Sequence, residues 1–134
     1  MKQYIHVPQS SDSDDPNPLI RIEHRESNAH VRDKVAFRYH KNAKIQMGNH
    51  SVIGINDAKY MSGVVLHYKW RSLDHVRRKT RQGVAALESG NIGSGYCAHW
   101  RSLDKYKEKE LEEWWAKYTD SESNHLVYDP YQIG

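Results

Sequence analysis

One cysteine, Cys97, stands in 134 residues, so no internal disulfide can brace the chain. No apolar run is long enough to cross a bilayer, and no secretory leader pattern opens the sequence. The expectation is a soluble, cytoplasmic protein of a reducing compartment, without a membrane span. A glycine-rich phosphate loop, a paired-cysteine zinc pattern, an H-E-x-x-H helix and a nucleophile elbow are all missing. These absences remove the most legible forms of nucleotide hydrolysis, zinc chemistry and serine hydrolysis. An HNH-like nuclease is disfavoured for a different reason: histidines are available, but no ββα-metal order organises them.

Apolar residues make up 37% of the chain and mean hydropathy is -0.92, which suits one domain with a modest core and much polar surface. Net charge is +3 with nine histidines, a balance that permits contact with phosphate or nucleic acid without requiring it. Residues 1–18 hold three of the four prolines and the run SSDSDD, and read as an extended polar arm. Residues 19–120 read as a single α+β domain, and 121–134 as a C-terminal tail. Asp12-Ser13-Asp14 follows no apolar strand that could hold a metal motif rigid, so its carboxylates read as solvated. The stretch LIRIEHRESNAHVRD (19–33) leaves a short helix and a loop both open.

Alternation identifies two strands. In Lys34–His40, Val35, Phe37 and Tyr39 share a face; in 63–70, Val64, Leu66, Tyr68 and Trp70 oppose Val65, His67 and Lys69. Between them, Gly48-Asn49 and Gly54 mark turns around a short apolar piece. Two amphipathic helices follow, over about 72–89 and 102–118. The predicted core is Val35, Phe37, Val64, Leu66, Val76, Val84, Leu87, Leu111, Trp114 and Tyr118. Gly83 interrupts the first helix at about 1 kcal/mol relative to Ala, which predicts a close contact there.

The pentapeptide WRSLD occurs twice, at Trp70–Asp74 and Trp100–Asp104, each time just after a histidine, His67 and His99. Ser72 and Ser102 both suit a helix N-cap, with Asp74 and Asp104 in the first turn. Two copies make no repeat array, because the helices that follow share no pattern. Upstream of the first cap, His67, Lys69 and Arg71 alternate out of the strand, and Arg77, Arg78, Lys79 and Arg81 follow on the helix. A strand feeding a capped helix N-terminus beside basic residues suits an anion. A solvated charged face is the competing reading, and residues alone favour it.

The ordered series Lys34-Val-Ala-Phe-Arg38, Met47-Gly-Asn-His50, His67-x-x-x-Arg71-Ser72, Lys79-x-x-x-Gly83-x-Ala85-Ala86 and His99-Trp100-Arg101 resembles the C-terminal part of bacterial family 2 glycosyltransferases of GT-A fold. The resemblance runs from about Pro18 to the end of the second helix. It implies transfer of a sugar from a nucleotide-sugar donor. It also implies a diphosphate- or substrate-binding set of His67, Arg71, Ser72, Lys79, Trp100 and Arg101, with His50 as a metal ligand. The family's N-terminal half, with its Asp-x-Asp-type motif and catalytic carboxylate, has no counterpart here. Mn or Mg would therefore enter only with carboxylates supplied elsewhere. Trp70 and Trp100 could stack on a sugar, although a Trp beside a helix start more often packs into a core.

Two functions from different classes follow. One is a glycosyltransferase-like segment that is inactive without a donor-binding half. The other is a non-catalytic binding or assembly protein, a particle component or small inhibitor, whose tail residues Leu126, Val127, Tyr128, Tyr131 and Ile133 dock on a neighbour. A nucleotide sugar or a protein partner fits better than nucleic acid.

Overall fold

The computed structural model describes residues 1–30, 32, 34–55 and 63–131. Strand β1 (Lys2–Ile5) alternates Gln3 and Ile5 inward, and runs parallel to the later strand Val64–His67 with Gln3 opposite Val65 and Ile5 opposite His67. Gln3, Ile5, His6 and Val7 are all buried. The first seven residues are thus part of the body, not of an arm. Prolines 8, 16 and 18 and the acidic run dominate the composition of this window, and they hide a short alternating strand in front of them.

Helix α1 (Pro18–Arg21) is a single turn, with Asn17 accepting from the Leu19 N–H and Pro18 at its first position. Strand β2 (His24–Glu26) follows, so the ambiguous stretch 19–33 contains both a short helix and a strand. The Val7 N–H donates to the His24 carbonyl at 2.8 Å, and His6 bridges Arg25. Strands β3 (Lys44–Ile45) and β4 (Val52–Ile53) form a small hairpin around a 3₁₀ turn at Met47–Asn49. There Gly48 takes a φ of 80°, a backbone region that favours glycine. Strand β5 is Val64–His67.

Helix α2 (Leu73–Ser89) begins where expected: the Ser72 hydroxyl accepts from the His75 N–H at 3.1 Å, and Gly90 ends it. Its inward side carries Val76, Thr80, Gly83 and Leu87. Helices α3 (Ala98–Asp104) and α4 (Glu108–Tyr118) complete the helical layer. Strand β6 (Leu126–Tyr128) returns antiparallel to β2. The architecture is α+β. Its main core joins Trp70, Val76, Leu103 and Leu111, flanked by Leu73, Trp100, Trp114, Trp115 and Tyr118.

Four expectations need correction. Residues 34–40 form no strand: Phe37 is 36% and Tyr39 92% exposed, so neither belongs to a core. Alternation makes a strand only where a ladder partner exists, and here Lys34 and Val35 instead donate singly to the carbonyls of Met1 and Asn49. Val64 is 58% exposed and sits at the first rung of the parallel ladder, opposite Lys2. The predicted helix 102–118 is two helices, and Ser102 lies inside α3 rather than capping anything. Cys97, at a φ of 52°, precedes the start of α3, and α4 has its own start where the Lys107 N–H donates to Glu110 at 2.7 Å. The tail residues Leu126, Val127 and Tyr128 are engaged on the chain's own β2; Ile133 lies outside the described residues.

Gly83 meets its expectation. A Cβ built on it would fall 2.6 Å from Trp100 Cζ3 and closer still to Cε3. The missing side chain lets the indole of the second WRSLD lie directly on α2.

Candidate functional site: a cationic cluster at the β5–α2 junction

His67 ends β5 with its ring on the same face as Gln3, and the buried Gln3 amide sets its proton. Gln3 Nε2 donates to the Arg32 carbonyl at 3.0 Å, an acceptor that only the amide nitrogen can serve. That leaves Oε1 facing His67 Nδ1 at 3.1 Å, so this nitrogen carries the hydrogen and Nε2 keeps the lone pair. The same Nε2 group of Gln3 lies 2.8 Å from His30 Nδ1, which accepts. One glutamine thereby holds two histidines in opposite tautomers.

Past His67, Lys69 and Lys79 converge on Trp70. Their Nζ atoms lie 5.2 and 5.1 Å from the indole centroid, and Lys79 Nζ donates to the Lys69 carbonyl at 3.0 Å. Trp70 is 1% exposed, so it is core and cannot stack on a sugar. It serves as the aromatic wall behind two ammonium groups. Burial pushes both lysines below their ordinary pKa; neighbouring cations push Lys79 further, whereas Glu26 opposes the shift at Lys69. Burial holds Lys34 down as well.

The histidines record the same field. Burial, and then Lys34, Lys79, Lys69 and His30, bring His67 down to about 4. His99 is lowered by burial and by Lys69 and Lys79, and His75 by burial, Arg71, Lys79 and Arg78. Both histidines that precede a WRSLD therefore stand beside the same two lysines. The second copy reaches the cluster through its histidine, while its Trp100 goes to the core.

The expected site residues divide accordingly. His67, Arg71 and Lys79 share the cluster. The Arg71 carbonyl accepts from Arg21 at 2.7 Å and its N–H donates to His75 Nδ1 at 3.3 Å. Ser72 is adjacent, but its hydroxyl is committed to the cap. Trp100 packs against Gly83, and Arg101 donates to the Ile92 carbonyl at 3.0 Å, anchoring the loop before α3. Neither joins the cluster through its side chain. Arg77, read as part of the basic run, is neutralised by Asp74 and Glu108 and ties α2 to α4. His50 stands near His30, their rings 6.4 Å apart.

Gln3, His75 and Glu26 were not anticipated. The alternation of Gln3, Ile5 and Val7 was the available signal for the first; nothing local marks the other two. No group of three or more His, Cys, Asp or Glu side chains able to hold a metal occurs among the described residues. Among the described residues His50 has the His30 imidazole beside it, so Mn or Mg, cations that take oxygen ligands, would need carboxylates from elsewhere. Among the described residues no helix is long and apolar enough to cross a membrane. No family model, no curated protein and no solved structure matches this chain.

Proposed function

We propose that this chain is a glycosyltransferase-like segment whose cationic cluster binds the diphosphate of a nucleotide sugar. The observation that carries the reading is the gathering of Lys69, Arg71 and Lys79, with His67, His75 and His99, around the start of a capped 17-residue helix. Lysines held partly out of water repel one another until an anion arrives, and a phosphate would restore them to their ordinary pKa. Arg71 can meet two phosphate oxygens at once, and the two ammonium groups can act as point charges. The lone pair of His67 Nε2 makes this imidazole an acceptor for a donor hydroxyl, or a donor once protonated.

In this reading sugar transfer itself requires carboxylates and a divalent metal contributed by a donor-binding half, with His50 as the ligand this segment would add. The exposed apolar hairpin, Ile45 at 53% and Ile53 at 51%, supports a second reading in which the segment acts as a binding or assembly protein. The discriminating experiment is calorimetric titration with UDP, GDP and their sugars, with and without manganese. The expected result is binding in the micromolar-to-millimolar range that weakens about tenfold in Lys79→Ala and in Arg71→Ala, and that falls with added salt. Absence of binding at millimolar nucleotide in both metal conditions would sink the diphosphate reading and leave assembly.

A further inference from the structure

The two faces of β5 differ in kind. His67 and Lys69 project toward the cluster, whereas Leu66 and Tyr68, one residue out of phase, belong to the opposite face. On that side lies a cavity of about 550 Å³ lined by His6, Leu66, Tyr128, Asp129, Pro130 and Tyr131. Its volume is in the range of small-molecule sites.

The polar atoms around this cavity are under-used. His6 is 1% exposed, yet its Nδ1 has no hydrogen-bond partner among the described residues. The hydroxyl of Tyr68, whose ring stacks on His6 at 4.6 Å, is likewise buried and unpartnered. So is Nδ1 of His24, which packs against Tyr128 with ring centroids 5.5 Å apart. Buried polar groups are nearly always satisfied, so an orphan on the cavity wall at His6, with two more behind the lining rings of His6 and Tyr128, points to a missing polar occupant.

The charges select its class. The cation paired with the cavity's Asp129, Arg25, is committed: its Nε meets Asp129 Oδ2 at 2.5 Å and its guanidinium lies over the Tyr4 ring at 4.3 Å. Asp129 Oδ1 makes no hydrogen bond among the described residues and is free to accept. Burial pushes the His6 imidazole below its ordinary pKa, against the opposing pull of Asp129 and of the Tyr4 backbone, so at neutral pH the ring carries no charge. Phosphate is thereby disfavoured, and a neutral ligand with many hydroxyls is favoured. Tyr128 and Tyr131 are 64% and 48% exposed at the rim, where their rings can cover an apolar sugar face.

We infer that this cavity is a binding site for a neutral saccharide, formed by His6 and Asp129 as hydrogen-bonding groups and by Tyr128 and Tyr131 as stacking faces. The site is separate from the cationic cluster and stands whether or not that cluster binds a diphosphate. The test is an NMR titration of the full chain with glucose, galactose, N-acetylglucosamine, maltose and lactose at up to tens of millimolar. Saturable shifts of the His6 imidazole and of the Tyr128 and Tyr131 rings are expected with at least one sugar. Tyr128→Ala and Tyr131→Ala, both at exposed rings and therefore compatible with folding, should each weaken that binding about fivefold or more. The UDP isotherm should be unchanged in both variants. No saturable shift with any sugar would overturn the inference. So would shifts confined to the cationic cluster, or binding indifferent to both tyrosine variants.

Discussion

Gly83→Ala should destabilise this protein even though it removes a glycine from the middle of a helix. In an open helix interior the change gains about 1 kcal/mol. Here the added methyl would lie 2.6 Å from Trp100 Cζ3, with Cε3 closer still, against an ordinary carbon–carbon separation of roughly 3.5–4.0 Å. The indole must withdraw by about 1 Å, and it cannot do so alone, because it packs on the cluster of Trp70, Val76, Leu103 and Leu111. Overpacking of this kind costs about 1–3 kcal/mol, against about 1 kcal/mol gained in helix propensity, so the net loss is up to about 2 kcal/mol. Urea denaturation should show it as a lower midpoint with an unchanged m-value. The sign reverses once the obstacle is gone: in a Trp100→Leu background, Gly83→Ala should stabilise by up to about 1 kcal/mol. Gly83→Ala at or above wild-type stability, with Trp100 intact, would refute the contact on which the α2–α3 packing is argued.

The two serines of the repeated pentapeptide should behave differently: Ser72→Ala should lose about 1 kcal/mol with its cap, and Ser102→Ala should stay within about 0.5 kcal/mol, by thermal or urea melts. Stability should fall on mild acidification. His67 sits at about 4 in the fold against 6.5 ordinarily, so between those values the unfolded chain takes up a proton that the native chain refuses. Its contribution is complete above about pH 6.5 and is lost as pH falls toward 4; His6, His75 and His99, also lowered, act in the same direction. Asp12 and Glu26, raised by burial, oppose the trend only where carboxylates titrate, so the window from 6.5 to about 5 belongs to the histidines. Melts across that window should fall in midpoint, and His67→Asn should flatten the slope; a flat wild-type profile would contradict the burial of these rings.

Local rules read parts of this fold correctly where a signal stood alone. Ser72, Asp74 and Gly90 bracket α2 because capping chemistry is local, and Gly83 announces its contact because glycine inside a helix is costly. The failures have one cause, which is that pairing is not local. Lys34–His40 alternates better than Lys2–Ile5, yet the latter found a ladder partner in β5 and the former found none among the described residues. The site was half legible for the same reason. His67, Arg71 and Lys79 lie within thirteen residues of sequence, and the turn from strand to helix keeps them together. Gln3, His30 and His99 reach the cluster only through tertiary packing. No local spacing could have joined them to it.

The repeated WRSLD shows how far that argument extends. The same five residues leave β5 as extended chain and cap α2 in one place, and lie wholly within α3 in the other. Intrinsic preference cannot decide between these states, since it is identical in both. What differs is the approach. Before Trp70 the chain comes off a ladder to β1 that ends at His67, and the helix waits for the cap at Ser72; before Trp100 no ladder exists, and α3 starts at Ala98, just after the left-handed Cys97. In both copies the tryptophan is what the core takes, Trp70 under the two lysines and Trp100 on Gly83. The histidine three residues before the first copy and the one directly before the second then fall beside the same lysines. The duplication is therefore not a repeat of a structural unit, and what its two surroundings share is a pair of indoles in one core with a histidine from each approach at one charged surface.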